Sequence, residues 1–181
     1  MNKIDINLLF NIVSVGLGTY GTIGVVMGKP WTYIQKYNRF SCMLSTLYFS
    51  YDTVNEYVVY NRLFYIPHHL LSLLISYKFY TLTDISMIKG GPILQLCGEG
   101  TTLIINIRER LKNKKKLTTK MDCIFLTTYM VLRNGVITPI VYNNRINNPE
   151  IWYGWLGIFA MSNIWGCMWA NSIIKYRRKT K

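Results

Sequence analysis

Residues 65–80 read YIPHHLLSLLISYKFY and hold the chain's two histidines, His68 and His69, side by side after Pro67. The run behind them is apolar. Ionisable groups at the head of such a run are costly to bury and are kept where they serve a purpose. At helical spacing Arg62, Tyr65, His69, Ser72 and Ser76 share one face, with Leu70, Leu74 and Tyr77 displaced from it. The segment therefore predicts a helix with a polar stripe headed by an imidazole. In a soluble protein the same letters would read as a surface turn with two histidines capping a helix, so the rest of the chain has to decide.

The bulk composition points to a membrane. Half of the 181 residues are hydrophobic and 16% are charged, against about 25% charged in an average soluble protein. The net charge of +13 is clustered: seven of the 21 Lys and Arg lie between Arg108 and Lys120, and five more in the last seven residues. Basic clusters flanking apolar runs read as cytoplasmic segments of a membrane protein. Nucleic acid is not an expected partner, because no zinc-finger, RNP or helix-turn-helix pattern accompanies the charge. Cys42, Cys97, Cys123 and Cys167 lie far apart with no CxxC pair. They predict buried thiols, with neither a metal site nor a disulfide framework.

Six apolar runs are legible. Ile6–Gly28 carries no charge over 23 residues, enough for a hydrocarbon core of about 30 Å; it is too long for a signal peptide and lacks a small-x-small cleavage site. Gly16, Gly18 and Gly21 spell Gly-x-Gly-x-x-Gly, but without a strand before them and an acid after, they read as small residues at a helix–helix contact. A basic, Pro-containing loop, Gly28–Phe40, follows. The other runs are Ser41–Tyr60 with Asp52 and Glu56, Leu63–Leu82 with the histidines, Gly90–Ile107 with Glu99, Met121–Tyr142 with Arg133, and Ile151–Ile174 without charge. Gly90-Gly91-Pro92 predicts a turn or bent start to the fourth. Arg108–Lys120 reads as a charged connector and Asn143–Glu150 as a polar turn. Trp152 and Trp155 fit an interfacial aromatic belt. The expected fold is all-α, a multi-pass membrane bundle of about six transmembrane helices. Residues 1–39 form an N-terminal helix and loop, and 40–181 the main domain.

The middle four runs carry Asp52, Glu56, His68, His69, Glu99 and Arg133, so their polar stripes are expected to turn inward. Glu99, Thr102 and Asn106 share one face at i, i+3 and i+7. Interhelical ion pairs such as Glu99 with Arg133 would explain single charges, but hardly two adjacent histidines. Imidazole suits proton transfer near neutral pH and nucleophilic acyl transfer, and a carboxylate beside it would orient it. Adjacent helical residues point about 100° apart, so one histidine acts or binds while the other supports it.

Four pieces in order resemble the TLC (TRAM–Lag–CLN homology) domain family. Tyr48–Val54, YFSYDTV, is similar to the family's aromatic-x-x-x-Asp signature. Pro67–Leu74, PHHLLSLL, is similar to its His–His segment. Gly98–Arg110, GEGTTLIINIRER, is similar to its Glu-x-Ser-Thr-x-x-x-Asn-x-Arg stretch, through Glu99, Thr101, Thr102, Asn106 and Arg108. Tyr129–Val141 resembles the later helix with an Arg and a downstream Pro, and Asn163 and Trp165 stand where the last helix often has Asn and Trp. The resemblance covers Phe40 to the C-terminus. It implies a multi-pass endoplasmic-reticulum protein of lipid metabolism or lipid homeostasis, with membrane lipid as partner. In the family's ceramide synthases the His pair is the acyl-transfer site. That implies His68 and His69 as candidate catalytic residues, Asp52, Glu99, Thr102, Asn106 and Arg133 as substrate-binding or orienting residues, and acyl-CoA as co-substrate with no other cofactor. The synthases' His-Asp and further Asp are replaced here by Gly91, Pro92 and Gln95, so the chain looks more like the short TLC-domain members.

Three functions fit these letters: a lipid-binding membrane protein, an acyl-CoA-dependent lipid N- or O-acyltransferase, and a small transporter or channel. Six spans put both termini on one side together with the Arg108–Lys120 cluster, which makes that side cytoplasmic. Lys29, Lys36 and Arg39 fall on the other side, against the rule. The tail Arg178-Lys179-Thr180-Lys181 resembles a cytoplasmic dibasic retrieval signal. A C-terminal epitope tag is expected to be cleaved by protease added outside sealed microsomes; protection of the tag contradicts this topology.

Overall fold

The computed structural model describes residues 3–59 and 66–179. Arg62, Tyr65, the side chain of Glu56 and the side chains of the basic tail Arg178–Lys181 lie outside what it describes. Among the described residues there are six helices and no strand. They are α1 (Lys3–Val26), α2 (Trp31–Val54, widening into a π-type turn over Asn55–Val59), α3 (Ile66–Tyr80), α4 (Ile85–Asn113), α5 (Thr119–Asn143) and α6 (Pro149–Lys179). The α1 stretch Ile6–Val26 and the whole of α5 are long and apolar enough to cross a membrane.

The helix ends follow from local chemistry. After α1, Gly28 takes φ +70°. Its N–H donates to the Val25 carbonyl and that of Lys29 to the Gly24 carbonyl, the paired bonds of a glycine-terminated helix. Pro30 then restarts the chain, so α2 begins at Trp31. Most of the basic loop expected over Gly28–Phe40 is thus the first turns of α2, because Lys36, Asn38 and Arg39 are compatible with helix wherever tertiary contacts hold them. At the head of α4 the Asp84 carboxylate accepts from the backbone N–H groups of Ser86 and Met87, at 2.9 and 3.4 Å. Partial burial opposes its ionisation, but the Ser86 hydroxyl and these N–H groups outweigh that and hold its pKa below the ordinary aspartate value of 3.8. The other end of α4 runs into the expected charged connector, as far as Asn113. There Lys115 adopts φ 55°, and Lys115 and Lys116 bond back to Lys112 and Leu111.

Gly90-Gly91-Pro92 does not bend the start of a helix; it lies inside α4 and is buried. Pro92 has no N–H to give the carbonyl four residues back, that of Ile88. Asn38 of α2 replaces it, donating from Nδ2 to that carbonyl at 2.7 Å. The approach needs glycine beside it, since a Cβ on Gly91 would sit 2.6 Å from the Asn38 side chain. One turn on, Tyr37 donates to Gln95 Oε1 at 3.1 Å and Ser41 donates to the same oxygen. α2 and α4 are therefore locked by side chains that answer a backbone defect.

Small residues set the other approaches. On α1 a Cβ at Gly18 would fall 2.7 Å from the Leu96 backbone, and one at Gly21 2.5 Å from the Tyr37 ring; these glycines are helix–helix contact positions, and α1 packs directly along α4. In α5 Pro139 cannot bond the Gly135 carbonyl, and the helix widens over Val131–Ile137 to absorb it. The apolar core (Ile34, Phe79, Met87, Ile88, Ile137, Val141, Ile151, Trp155 and Ile158) sits toward the end of the bundle that carries the 81–84 and 144–148 loops. Trp155 belongs to it, donating from Nε1 to Thr138 Oγ1 at 3.2 Å, so it is not part of an interfacial belt. Trp152 is half-buried against Tyr142. Outside, Leu70, Leu74 and Tyr77 are 55%, 43% and 61% exposed, as the displaced positions of the stripe predict.

Replacing Asn38 with Leu leaves the Ile88 carbonyl buried without a donor, a loss of about 1–3 kcal/mol. Pro92→Ala restores the missing N–H. The cost of Asn38→Leu should therefore shrink in the Pro92→Ala background, measured as a double-mutant cycle on thermal unfolding in detergent. Strict additivity would contradict this account.

Candidate functional site

Helices α2 to α6 surround one cavity of about 730 Å³. Its wall includes Asp52 from α2, His68 and His69 from α3, Glu99, Thr102 and Asn106 from α4, and Arg133 from α5. All seven candidate residues from four separate sequence segments thus meet on one surface. His69 is buried with its Nε2 3.4 Å from Asp52 Oδ2. That contact is just beyond ordinary hydrogen-bond range. The His69 ring also lies against Phe49, with centroids 5.8 Å apart, and against His68 at 5.9 Å. Ser72, one turn on, is buried and donates to the His68 carbonyl.

Arg133 is the anchor of the opposite wall. Its Nε donates to Thr101 Oγ1 at 3.0 Å and its Nη1 to Ser162 Oγ at 2.8 Å, and its guanidinium carbon stands 5.2 Å from the Tyr129 ring centroid. The expected pairing of Arg133 with Glu99 is replaced by these neutral partners: among the described residues no Arg133–Glu99 contact falls within ion-pair distance. Glu99 is buried, and Arg133 acts on both Glu99 and His68 through space. Thr101 faces Arg133 while Thr102 faces the cavity, so one helical step separates the scaffold from the lining.

The cavity is polar along α2, α3 and α4, where Asn38, Ser41, Ser45, Ser76 and Gln95 join the residues above. Along α5 and α6 it is apolar over Ile137, Val141, Ile151, Trp155 and Ile158, with Arg133 and Ser162 as polar groups further along the same helices. Gly91 and Gln95 of α4 line the cavity as well. The surface can hold an apolar chain on one side and place a polar junction beside an imidazole–carboxylate pair on the other.

Arg108, a matching position of the resemblance, is not on the wall. Its Nε and Nη2 donate to the two Asp122 oxygens at 2.6 and 3.2 Å, and its guanidinium lies 4.5 Å over the Trp169 ring. Trp169 Nε1 donates to the same carboxylate at 2.6 Å. This cluster ties the ends of α4, α5 and α6. Sequence reading missed Asp122 and Ser162. Asp122 does carry a local signal, standing four residues past the Thr118 N-cap in a run otherwise apolar, while Ser162 has none beyond its neighbour Asn163, which binds Asn134 of α5 at 3.0 Å.

Compared with protein-family models, with curated proteins and with solved structures, the chain matches none.

Arg133→Lys keeps the charge but replaces a planar fork by a single point. It cannot hold Thr101 and Ser162 together, and the expected loss is about 1–3 kcal/mol of stability, seen as a lower melting temperature in detergent. A variant that melts like the parent removes Arg133 from the scaffold.

Proposed function

We propose that this chain is a multi-pass membrane protein of lipid metabolism or lipid homeostasis, of the TLC-domain type, that holds a lipid in its central cavity. The observation that carries this reading is the cavity itself, large, apolar along α5 and α6, and bearing the His69–Asp52 pair on its opposite wall. The outer surface supports it. Leu9, Val26, Leu47, Val58, Ile124, Tyr153 and Met168 are among many large apolar side chains turned outward. In water such a surface invites association, whereas in a bilayer it is solvated. Two helices, α1 and α5, meet the length and apolarity of a span unaided; α2 and α4 carry several of the cavity's polar groups, which lower their hydropathy while pointing away from lipid. The endoplasmic reticulum is the membrane that the resemblance implies, with both termini cytoplasmic.

The His69–Asp52 contact favours acyl transfer as a second reading. Asp52 facing Nε2 would orient the ring and leave Nδ1 as the basic nitrogen. The imidazole would take the proton from an acceptor amine or hydroxyl as that group attacks an acyl-CoA thioester carbonyl. The carbon–sulfur bond then breaks, and the proton passes to the departing thiolate. His68, beside it and within the field of Arg133, is the supporting member.

Purified protein incubated with labelled acyl-CoA and a panel of lipid acceptors separates the two readings. If the pair transfers acyl groups, His68→Ala with His69→Ala should lower turnover by about two or more orders of magnitude, with the protein still folded and inserted. A parent protein without turnover that co-purifies with lipid supports the binding reading alone. If neither turnover nor bound lipid is found by mass spectrometry, the lipid reading fails.

A further inference from the structure

The helices around the cavity are not joined equally. α2 and α4 are linked by Asn38 to Ile88 and by Tyr37 and Ser41 to Gln95. α4 and α5 are linked by Arg133 to Thr101 and by Arg108 to Asp122. α5 and α6 are linked by Arg133 to Ser162, Asn134 to Asn163 and Trp155 to Thr138. α2 and α3 are linked by the His69–Asp52 contact and by Gln35 Nε2 donating to the Leu82 carbonyl.

The remaining seam, α3 against α6, is of another kind between Leu71 and Lys78. Leu71 and Ile75 seat in notches left by Gly157 and Gly154, where an added Cβ would come within 2.6 and 3.1 Å of them. Among the described residues the polar tie along this stretch is Lys78–Glu150, 3.1 Å, at the loop end. That pair is exposed, so it is screened and holds weakly. Aliphatic side chains in glycine notches slide and part without leaving a buried donor or acceptor unsatisfied, whereas parting the α2–α4, α4–α5 or α5–α6 seam breaks hydrogen bonds that lipid cannot replace, and parting α2 from α3 separates His69 from Asp52. The α3–α6 seam also faces two environments. Its inner side is the cavity wall, through Ile75, Phe79 and Ile158, and its outer side carries Leu74, Tyr77 and Tyr153, all exposed.

We propose that the α3–α6 seam is a lateral portal through which an apolar lipid chain passes between the surrounding bilayer and the cavity, with Leu71 and Ile75 as its closing side chains. This rests on the reading of the cavity as a lipid site. The partner is a membrane lipid presenting an acyl chain in the bilayer plane, not a solute arriving from water.

The test locks the seam. Leu71→Cys with Gly157→Cys, in a background where the exposed Cys167 is Ser, is oxidised to a disulfide in lipid-free detergent and then reconstituted with a diazirine-bearing phosphatidylcholine. Ile75→Cys with Gly154→Cys serves as the second pair, should the first not bridge, and Asn134→Cys with Asn163→Cys locks the hydrogen-bonded α5–α6 seam as control. After illumination, adducts are mapped by peptide mass spectrometry. The expected result is at least a tenfold loss of cavity adducts on Trp155 and Ile158 in the oxidised α3–α6 protein. Reductant should restore them, outer adducts on Leu74 and Tyr153 should not change, and the control pair should show no loss. Equal cavity labelling in oxidised and reduced protein overturns the portal and leaves the lipid site standing. Absence of cavity adducts in the reduced protein, with outer adducts present, overturns the lipid site and the portal with it.

Discussion

Arg133 is a buried guanidinium, and the bundle is arranged around where it is put. A buried guanidinium needs donors satisfied on several sides at once. Thr101 and Ser162 supply two acceptors from two other helices, and the Tyr129 ring supplies a face. The demand fixes α4, α5 and α6 relative to one another at mid-bundle. It also explains the widened turn in α5. Pro139 frees the Gly135 carbonyl, two residues after Arg133, and the π-type segment that holds both residues relieves the ring. Because Thr101 spends its oxygen on Arg133, its neighbour Thr102 is the one left facing the cavity. The carboxylate of Glu99 then stays near the cation without being neutralised by direct contact.

The second constraint is that apolar surroundings give backbone groups no substitute partner. Pro92 would be a defect in α4 on its own. With Asn38 across from it, the defect becomes the most specific contact between α2 and α4, and Gly91 is the space that allows it. The Arg108–Asp122–Trp169 cluster does similar work at the far end, where a bidentate pair also engages an indole N–H. Polar groups in this protein pay for themselves by joining helices, and the seam that lacks them in its middle is the one between α3 and α6.

How much of this can be read from the letters depends on range. The α3 stripe is a local property, and it is right in detail: His69 and Ser72 are buried while Leu70, Leu74 and Tyr77 face outward. The convergence of the α2, α3, α4 and α5 candidates on one cavity follows from the same period of 3.6 applied four times. What stays hidden is long-range compensation. Gly90-Gly91-Pro92 reads as a break because nothing near it announces Asn38, fifty residues earlier and in what looks like a loop. Trp155 reads as a belt residue because its position near a helix start is visible and its partner Thr138 is not. The connector after Arg108 looks too charged for helix, yet charge does not oppose helix where side chains reach solvent at its end.

The adjacent histidines show how sequence and packing divide one motif. A step of about 100° separates neighbouring side chains, so the two cannot do the same job in one place. The structure assigns the two directions: His69 turns into the bundle toward Asp52 and Phe49, and His68 is half-buried on the same cavity wall. Among the described residues only His69 has a carboxylate against its ring nitrogen, which bears on how that ring is oriented. His68 instead shares the field of Arg133 and offers its carbonyl to Ser72, which holds the first turns of α3 together. A chemical step that needs one oriented imidazole therefore has a single place to occur, and the second histidine bears on it by shaping the helix that presents the first.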